Sequence, residues 1–419
     1  MAEEGDGMTI NAPRTAEETG IRRKVLEDLT LKTMYLMGEL SLHDLAEHMR
    51  IGLRIVDDAF QRLRKDQLCQ VTGMAGAVHR VVLTVEGKGR ALEALAINQY
   101  VGPLPVSLVD YVNQVRAQTV RRMDVTPPAV QKAFEDLVLD PQVLRQLGSA
   151  LVSGKAVFLY GPSGTGKTTV AETLSCLFEQ ENVWIPHAVE HDGQIITIYD
   201  PLTHKQVDDP ATRDSDERWV LCRRPRVVVG GELTIEMLEL QFNPVTKYYA
   251  APAQLKANNG LLIVDDFGRQ RVRPEELLNR WVAPLDRGID FLTLAGGKKI
   301  EVPFDVLVAF ATNLDPATLV DEAFLRRIQT KIRLGSVTRE HFHEICRRVC
   351  AQNKLHYDHG LIEELIDTIA TDLGQDLRPC YPRDIINQVC WAARYESRPA
   401  QLDRDALAQA CRTYFISPS

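Results

Sequence analysis

Gly161, Pro162, Ser163, Gly164, Thr165, Gly166, Lys167 and Thr168 spell GxxxxGK[ST], and no other stretch of the 419-residue chain restricts its fold as much. The octapeptide lies between a short apolar run, 157–160, and a helical pattern over 170–178, with Thr169 at the junction. That is the strand–loop–helix setting the motif needs. The glycines let the backbone turn tightly so that its N–H groups face phosphate oxygens, and the helix N-terminus adds a favourable dipole. Lys167 brings a point charge to the terminal phosphates, and Thr168 offers its hydroxyl to magnesium.

A second strand end carries acids. The run 260–264 (Gly-Leu-Leu-Ile-Val) ends in Asp265 and Asp266. Asp265 is placed to hold magnesium, and Asp266 to orient and deprotonate an attacking water. The runs 226–229 and 305–311 are equally short, apolar and β-branched, so four strands buried on both faces of a parallel sheet are expected. Two hairpins are expected as well. One spans 188–198 around the Asp192-Gly193 turn, and the other spans 291–302 around Gly296-Gly297. After about residue 337 the pattern is helical to the end, as in a separate lid.

Upstream, helical patterns over 29–37, 42–49 and 53–68 precede two extended pieces, 69–72 and 79–84, separated by a turn at Gly73–Gly76. A closing helix follows Thr84. This order resembles a winged helix-turn-helix. Pro103, Pro105, Pro127 and Pro128 punctuate the next fifty residues, which read as an articulated connector.

Taken together, these motifs resemble AAA+ ATPases over about 134–400. Asn313, after strand 305–311, resembles the sensor-1 residue of that family, which contacts the γ-phosphate or the attacking water. The segment 321–328 (Asp-Glu-Ala-Phe-Leu-Arg-Arg-Ile) resembles the helix end that presents an arginine finger to a neighbouring subunit; Arg326 and Arg327 both qualify, with Arg327 favoured. Arg383, in Tyr381-Pro-Arg-Asp-Ile385, resembles sensor 2, and residues 134–139 resemble the stretch that touches adenine. Asp265-Asp-Phe-Gly-Arg269 and the hairpin before Asn313 are similar to the MoxR, magnesium-chelatase and McrB-like side of the superfamily. Asp266 departs from the pattern, since most relatives carry glutamate there, although some AAA+ initiators carry two aspartates. One methylene fewer implies a less well held water and slow turnover.

The resemblance implies an α/β fold: an AAA+ P-loop NTPase parallel sheet with a C-terminal helical lid, plus the N-terminal winged helix-turn-helix domain. The expected organisation is a flexible tail over 1–20, the winged-helix-like domain over 21–100, the connector over 101–150, the ATPase core over 151–336 and the lid over 337–419. It also implies ATP and Mg2+ as ligands, with Thr168 and Asp265 at the metal. Partners are then other copies in a ring, expected as a hexamer, and a protein client. The rival is a DNA-binding regulator or nucleic-acid motor using residues 53–65. Residues 20–100 carry 12 Lys and Arg against 10 Asp and Glu, far from a basic footprint, and Asp57 and Asp58 sit beside Arg54, Arg62, Arg64 and Lys65. A third reading, a restriction-type NTPase preferring guanine, rests on the McrB likeness alone.

The bulk properties agree with a globular chain of two or three domains: 45% hydrophobic, 25% charged, net charge −8. That charge gives no overall pull toward nucleic acid or anionic lipid. No apolar run approaches the roughly 18 residues of a membrane span, and the acidic start lacks a secretory segment, so a cytoplasmic location without membrane contact is expected. The eight cysteines are scattered without a CxxC pair and read as reduced thiols. His341, His343, Cys346 and Cys350 form the densest potential metal group, but His341 and His343 point apart on a helix, so no metal is expected there.

Overall fold

The computed structural model describes residues 10–178, 180–212, 214–319 and 325–415. Five strands, β1 (Ala156–Tyr160), β2 (Arg226–Val229), β3 (Leu261–Val264), β4 (Leu307–Thr312) and β5 (Thr330–Arg333), form one parallel sheet. Their order across the sheet is β2-β3-β4-β1-β5. All residues of β3 and β4 are buried because the sheet is covered on both faces. Phe158, Phe267, Trp281 and Phe310 pack on one side, and Leu147, Val170, Leu174 and Ile263 on the other. The α/β fold expected from the sequence is present, with helices at the C-terminal end. The fifth strand escaped the sequence reading: it is an edge strand reading Thr-Lys-Ile-Arg, in which only Ile332 is buried.

Both hairpins form. Ala188–His191 pairs with Gln194–Thr197, and Asp192 (φ 49°) and Gly193 (φ 83°) are both left-handed, as a two-residue hairpin turn requires. Ile289–Thr293 pairs with Lys299–Pro303. An ion pair between Lys298 and Asp192 joins the two hairpin tips.

The N-terminal helices span Arg23–Met37, Leu42–Met49 and Leu53–Lys65, followed by the pair Cys69–Ala75 and Val78–Leu83 and the helix Val85–Ile97. Ser41 and Asp44 cap the second helix reciprocally. The turn expected at 73–76 lies later: a bulge between Val71 and Gly73 lets the first strand continue through Ala75, so the chain reverses at Gly76-Ala77. Leu104, Ala188 and Ile195 belong to the same apolar cluster as these helices.

Within the stretch read as a loose tail, residues 10–20 are held. Ala16 and Thr19 are buried, Asn11 bridges to Ser215, and Arg218 Nη1 donates to the Thr19 carbonyl at 2.8 Å. Residues 1–9 lie outside the described residues. The connector folds into helices Leu108–Ala117, Pro127–Ala133 and Pro141–Ser153, the last two opening on proline.

The C-terminal helices Arg339–Gln352, His359–Asp367, Cys380–Tyr395 and Arg404–Tyr414 close around Phe342, Ile366, Ile385 and Leu407. Among the described residues no helix is long and apolar enough to cross a membrane.

Candidate functional site

The sheet order brings the ends of β1, β4 and β3 side by side, and their C-terminal edge opens onto a cavity of about 520 Å3. The phosphate loop, Asp265, Asp266 and Asn313 line one wall, Leu137–Leu139 another, and Arg348, Cys380 and Arg383 of the lid a third. The loop can lie close to the sheet because Gly161 has no side chain. A Cβ there would stand 1.9 Å from the Leu334 carbonyl oxygen, at a φ of 142°.

Lys167 folds along the loop and donates to the carbonyls of Gly161 (3.0 Å) and Pro162 (2.7 Å). Burial holds its pKa below the usual lysine range, against the opposing pull of Asp266 and Asp265. The Thr168 hydroxyl lies 3.0 and 3.1 Å from the two carboxylate oxygens of Asp265. A hydroxyl and a carboxylate at that spacing form the hard-oxygen donor set that suits magnesium.

Asp266 is left-handed (φ 48°), a conformation aspartate tolerates better than most side chains. Its backbone N–H donates to Asp265 Oδ1 (2.9 Å), and Asn313 Nδ2 approaches its carboxylate at 3.4 Å. The bend itself is tied down by neighbours. Thr312 Oγ1 donates to the Phe267 carbonyl (2.6 Å), and Gln270 Nε2 donates to the Asp265 carbonyl (2.8 Å) while its Oε1 accepts from Gly268 N–H (2.8 Å). Gln270 was not singled out from the sequence; its place inside the turn after the acidic pair was the available signal.

The lid touches the loop directly. Cys380 N–H donates to the Gly164 carbonyl (3.3 Å) and Arg378 Nη1 to the Ser163 carbonyl (3.1 Å). Arg378 stands just before the Tyr381–Ile385 segment and was likewise missed. Arg383 lines the cavity, exposed, with Nε on Asp384 (3.2 Å). Arg326 and Arg327 are not brought to this cavity; Arg326 is exposed and Arg327 Nε donates to Asp286 (3.0 Å). The start of their expected helix end, residues 321–324, lies outside the described residues.

In the lid, the potential ligand group among the described residues is His343, His359 and Glu363, without His341 or the cysteines. His343 Nε2 lies 2.9 Å from Glu363 Oε1, and its ring stacks on His359 at 4.3 Å and 11°. Stacked rings keep their in-plane lone pairs in separate, nearly parallel planes, so the two imidazoles do not aim at one ion and the group reads as a hydrogen-bonded stack.

A family model described as a domain of unknown function (DUF8689) matches residues 338–413, the helical lid. Among solved structures, the chain is similar to NtrX from Brucella abortus in complex with ADP, at 16% identity and TM-score 0.41 over 69% of this chain. That match spans 59% of the NtrX chain, less than two thirds of its length. It is also similar to the Thermotoga maritima RuvB Holliday junction branch migration motor, at 16% identity and TM-score 0.40, over 67% of this chain and 70% of that one. No curated protein sequence matches.

Proposed function

We propose that the chain is an AAA+ ATPase that hydrolyses ATP at the 520 Å3 cavity and works as an oligomeric ring remodelling a protein client. The observation that carries this reading is the Thr168–Asp265 contact at 3.0 Å, beside an Asp266–Asn313 pair, in a cavity shared with the lid's Arg383. Thr168 and Asp265 would hold Mg2+, which when bound neutralises phosphate charge. Asp266 accepts the proton of the attacking water, and Asn313 orients that carboxylate. Lys167 leaves its carbonyl partners to meet the terminal phosphates, and Leu137–Leu139 pack against the base. Arg383 reaches the γ-phosphate from the lid, while Arg327 exchanges Asp286 for the nucleotide of the adjoining subunit. On this reading residues 21–100 form the winged-helix-like domain.

The test is native mass and ATPase rate, with and without ATP, for wild type, Lys167→Ala and Arg327→Ala. ATP-driven assembly, with hydrolysis abolished by both changes and nucleotide binding kept in Arg327→Ala, is expected. A monomer in which Arg327→Ala hydrolyses normally would sink the shared-site motor. The second reading, action on duplex DNA, is favoured by one observation: Arg54, Arg64 and Lys65 are exposed along Leu53–Lys65. Salt-sensitive duplex binding lost on reversing Arg54 and Lys65 identifies it, and absence of binding at low salt removes it.

A further inference from the structure

We propose that four arginines at the opposite edge of the core sheet form a second anion site, for a small ligand bearing two or more adjacent phosphates. Arg116, Arg121, Arg122 and Arg287 surround a cavity of about 420 Å3, which shares no lining residue with the nucleotide cavity. It opens where Asp305 leads into β4, whereas Asn313 and the phosphate loop lie beyond the other end of that strand. Such a volume suits a compact ligand.

The charge there is uncompensated. All four arginines are exposed, and among the described residues none makes an ion pair or a side-chain hydrogen bond. Two acids share the lining. Asp305 is already engaged, accepting from Thr119 Oγ1 (2.8 Å), Val120 N–H (3.0 Å) and Asn259 Nδ2 (2.7 Å). Glu301 is the other acid. Four guanidinium forks against two carboxylates leave a net positive cleft, and guanidinium geometry matches phosphate oxygens in pairs.

Arg121 is seated rather than merely near. A Cβ on Gly154 would stand 2.8 Å from its Cγ, and one on Gly288 3.3 Å from its Nη2. Two residues without side chains therefore clear its course. Both glycines close helices, Pro141–Ser153 and Val282–Arg287, whose C-terminal dipoles favour a cation nearby. The same dipole favours Arg116 and Arg287, each in the last turn of its own helix, but it leaves the guanidinium groups of all four arginines without a bonded acceptor among the described residues. The buried side chains of Val115 and Phe304 add an apolar floor, which a nucleic-acid backbone lying across the rim would not use.

The experiment titrates inorganic tripolyphosphate into the full chain carrying Lys167→Ala, so that the phosphate loop contributes little. One-site binding that weakens with salt is expected, falling about tenfold for each of Arg121→Gln and Arg287→Gln, as for loss of one charge-assisted hydrogen bond. Arg116→Gln, at an exposed position away from both glycines, guards against misfolding of the Arg121 variant and is expected to act in the same direction. ADP binding more tightly than pyrophosphate identifies a nucleotide as the source, and equal binding identifies inorganic polyphosphate. No tripolyphosphate binding at low salt overturns the proposal, as does binding undiminished in Arg121→Gln/Arg287→Gln. Duplex DNA binding lost in these variants without tripolyphosphate binding also overturns it and assigns the arginines to a nucleic-acid backbone.

Discussion

At the residue scale the decisive side chain is Asp266. Its left-handed backbone and the Asp265–Asp266 N–H contact fix a bend that turns the second carboxylate out of the strand toward Asn313. A longer glutamate is disfavoured at that φ more than aspartate, so an aspartate at this position has a backbone reason. Asp266→Asn keeps the shape and removes the carboxylate proposed as the base. Phosphate release is expected to fall about 10²–10⁴-fold while ATP binding stays within a factor of a few. Steady-state hydrolysis with a fluorescent-nucleotide titration measures both, and hydrolysis retained in the variant would remove Asp266 from the chemistry. The residues that sequence disclosed best were those whose role is local. Gly161 to Thr168 and the acidic pair sit in contiguous motifs, so the spacing alone brings their atoms together. Gln270 offered only its place in the turn after the acidic pair, and Arg378 offered nothing, because its hold on the Ser163 carbonyl joins segments that only the folded chain brings together.

At the scale of elements, the buried strands announced themselves as unbroken apolar runs, while β5 did not, since an edge strand with one buried side chain carries no such signature. The lid illustrates the same limit from another side. Its helices were legible from periodicity, but its seat on the phosphate loop was not. Arg378 Nη1 donates to the Ser163 carbonyl, and its Nε is buried without a hydrogen-bond partner among the described residues. Arg378→Ala is expected to weaken ATP binding about tenfold, the worth of roughly 1.5 kcal/mol for a charge-assisted hydrogen bond. Competition titration with ADP measures it; unchanged affinity would mean that the contact does not stabilise the loop.

Across the whole molecule, the N-terminal helices are not an appendage. Their apolar cluster runs into Leu104, Ala188 and Ile195, Arg22 pairs with buried Glu190 at 2.8 Å, and buried Arg218 grips the Thr19 carbonyl. Shared burial couples the unfolding of neighbouring elements. Hydrogen exchange under rising denaturant is expected to show Leu42–Met49 and Leu53–Lys65 losing protection together with the Ala188–Thr197 hairpin. Earlier loss in the two helices would mark an independently folding unit. The lid, with a separate core around Phe342 and Ile385, is the part free to answer differently. Because Cys380 and Arg378 bond straight to the carbonyls of Gly164 and Ser163, the lid and the loop behave as the two arms of one lever. Under the proposed function, force applied to the lid by a load would be felt at the phosphates without an intermediate gear, so the grip on spent nucleotide would become a quantity that pulling can tune.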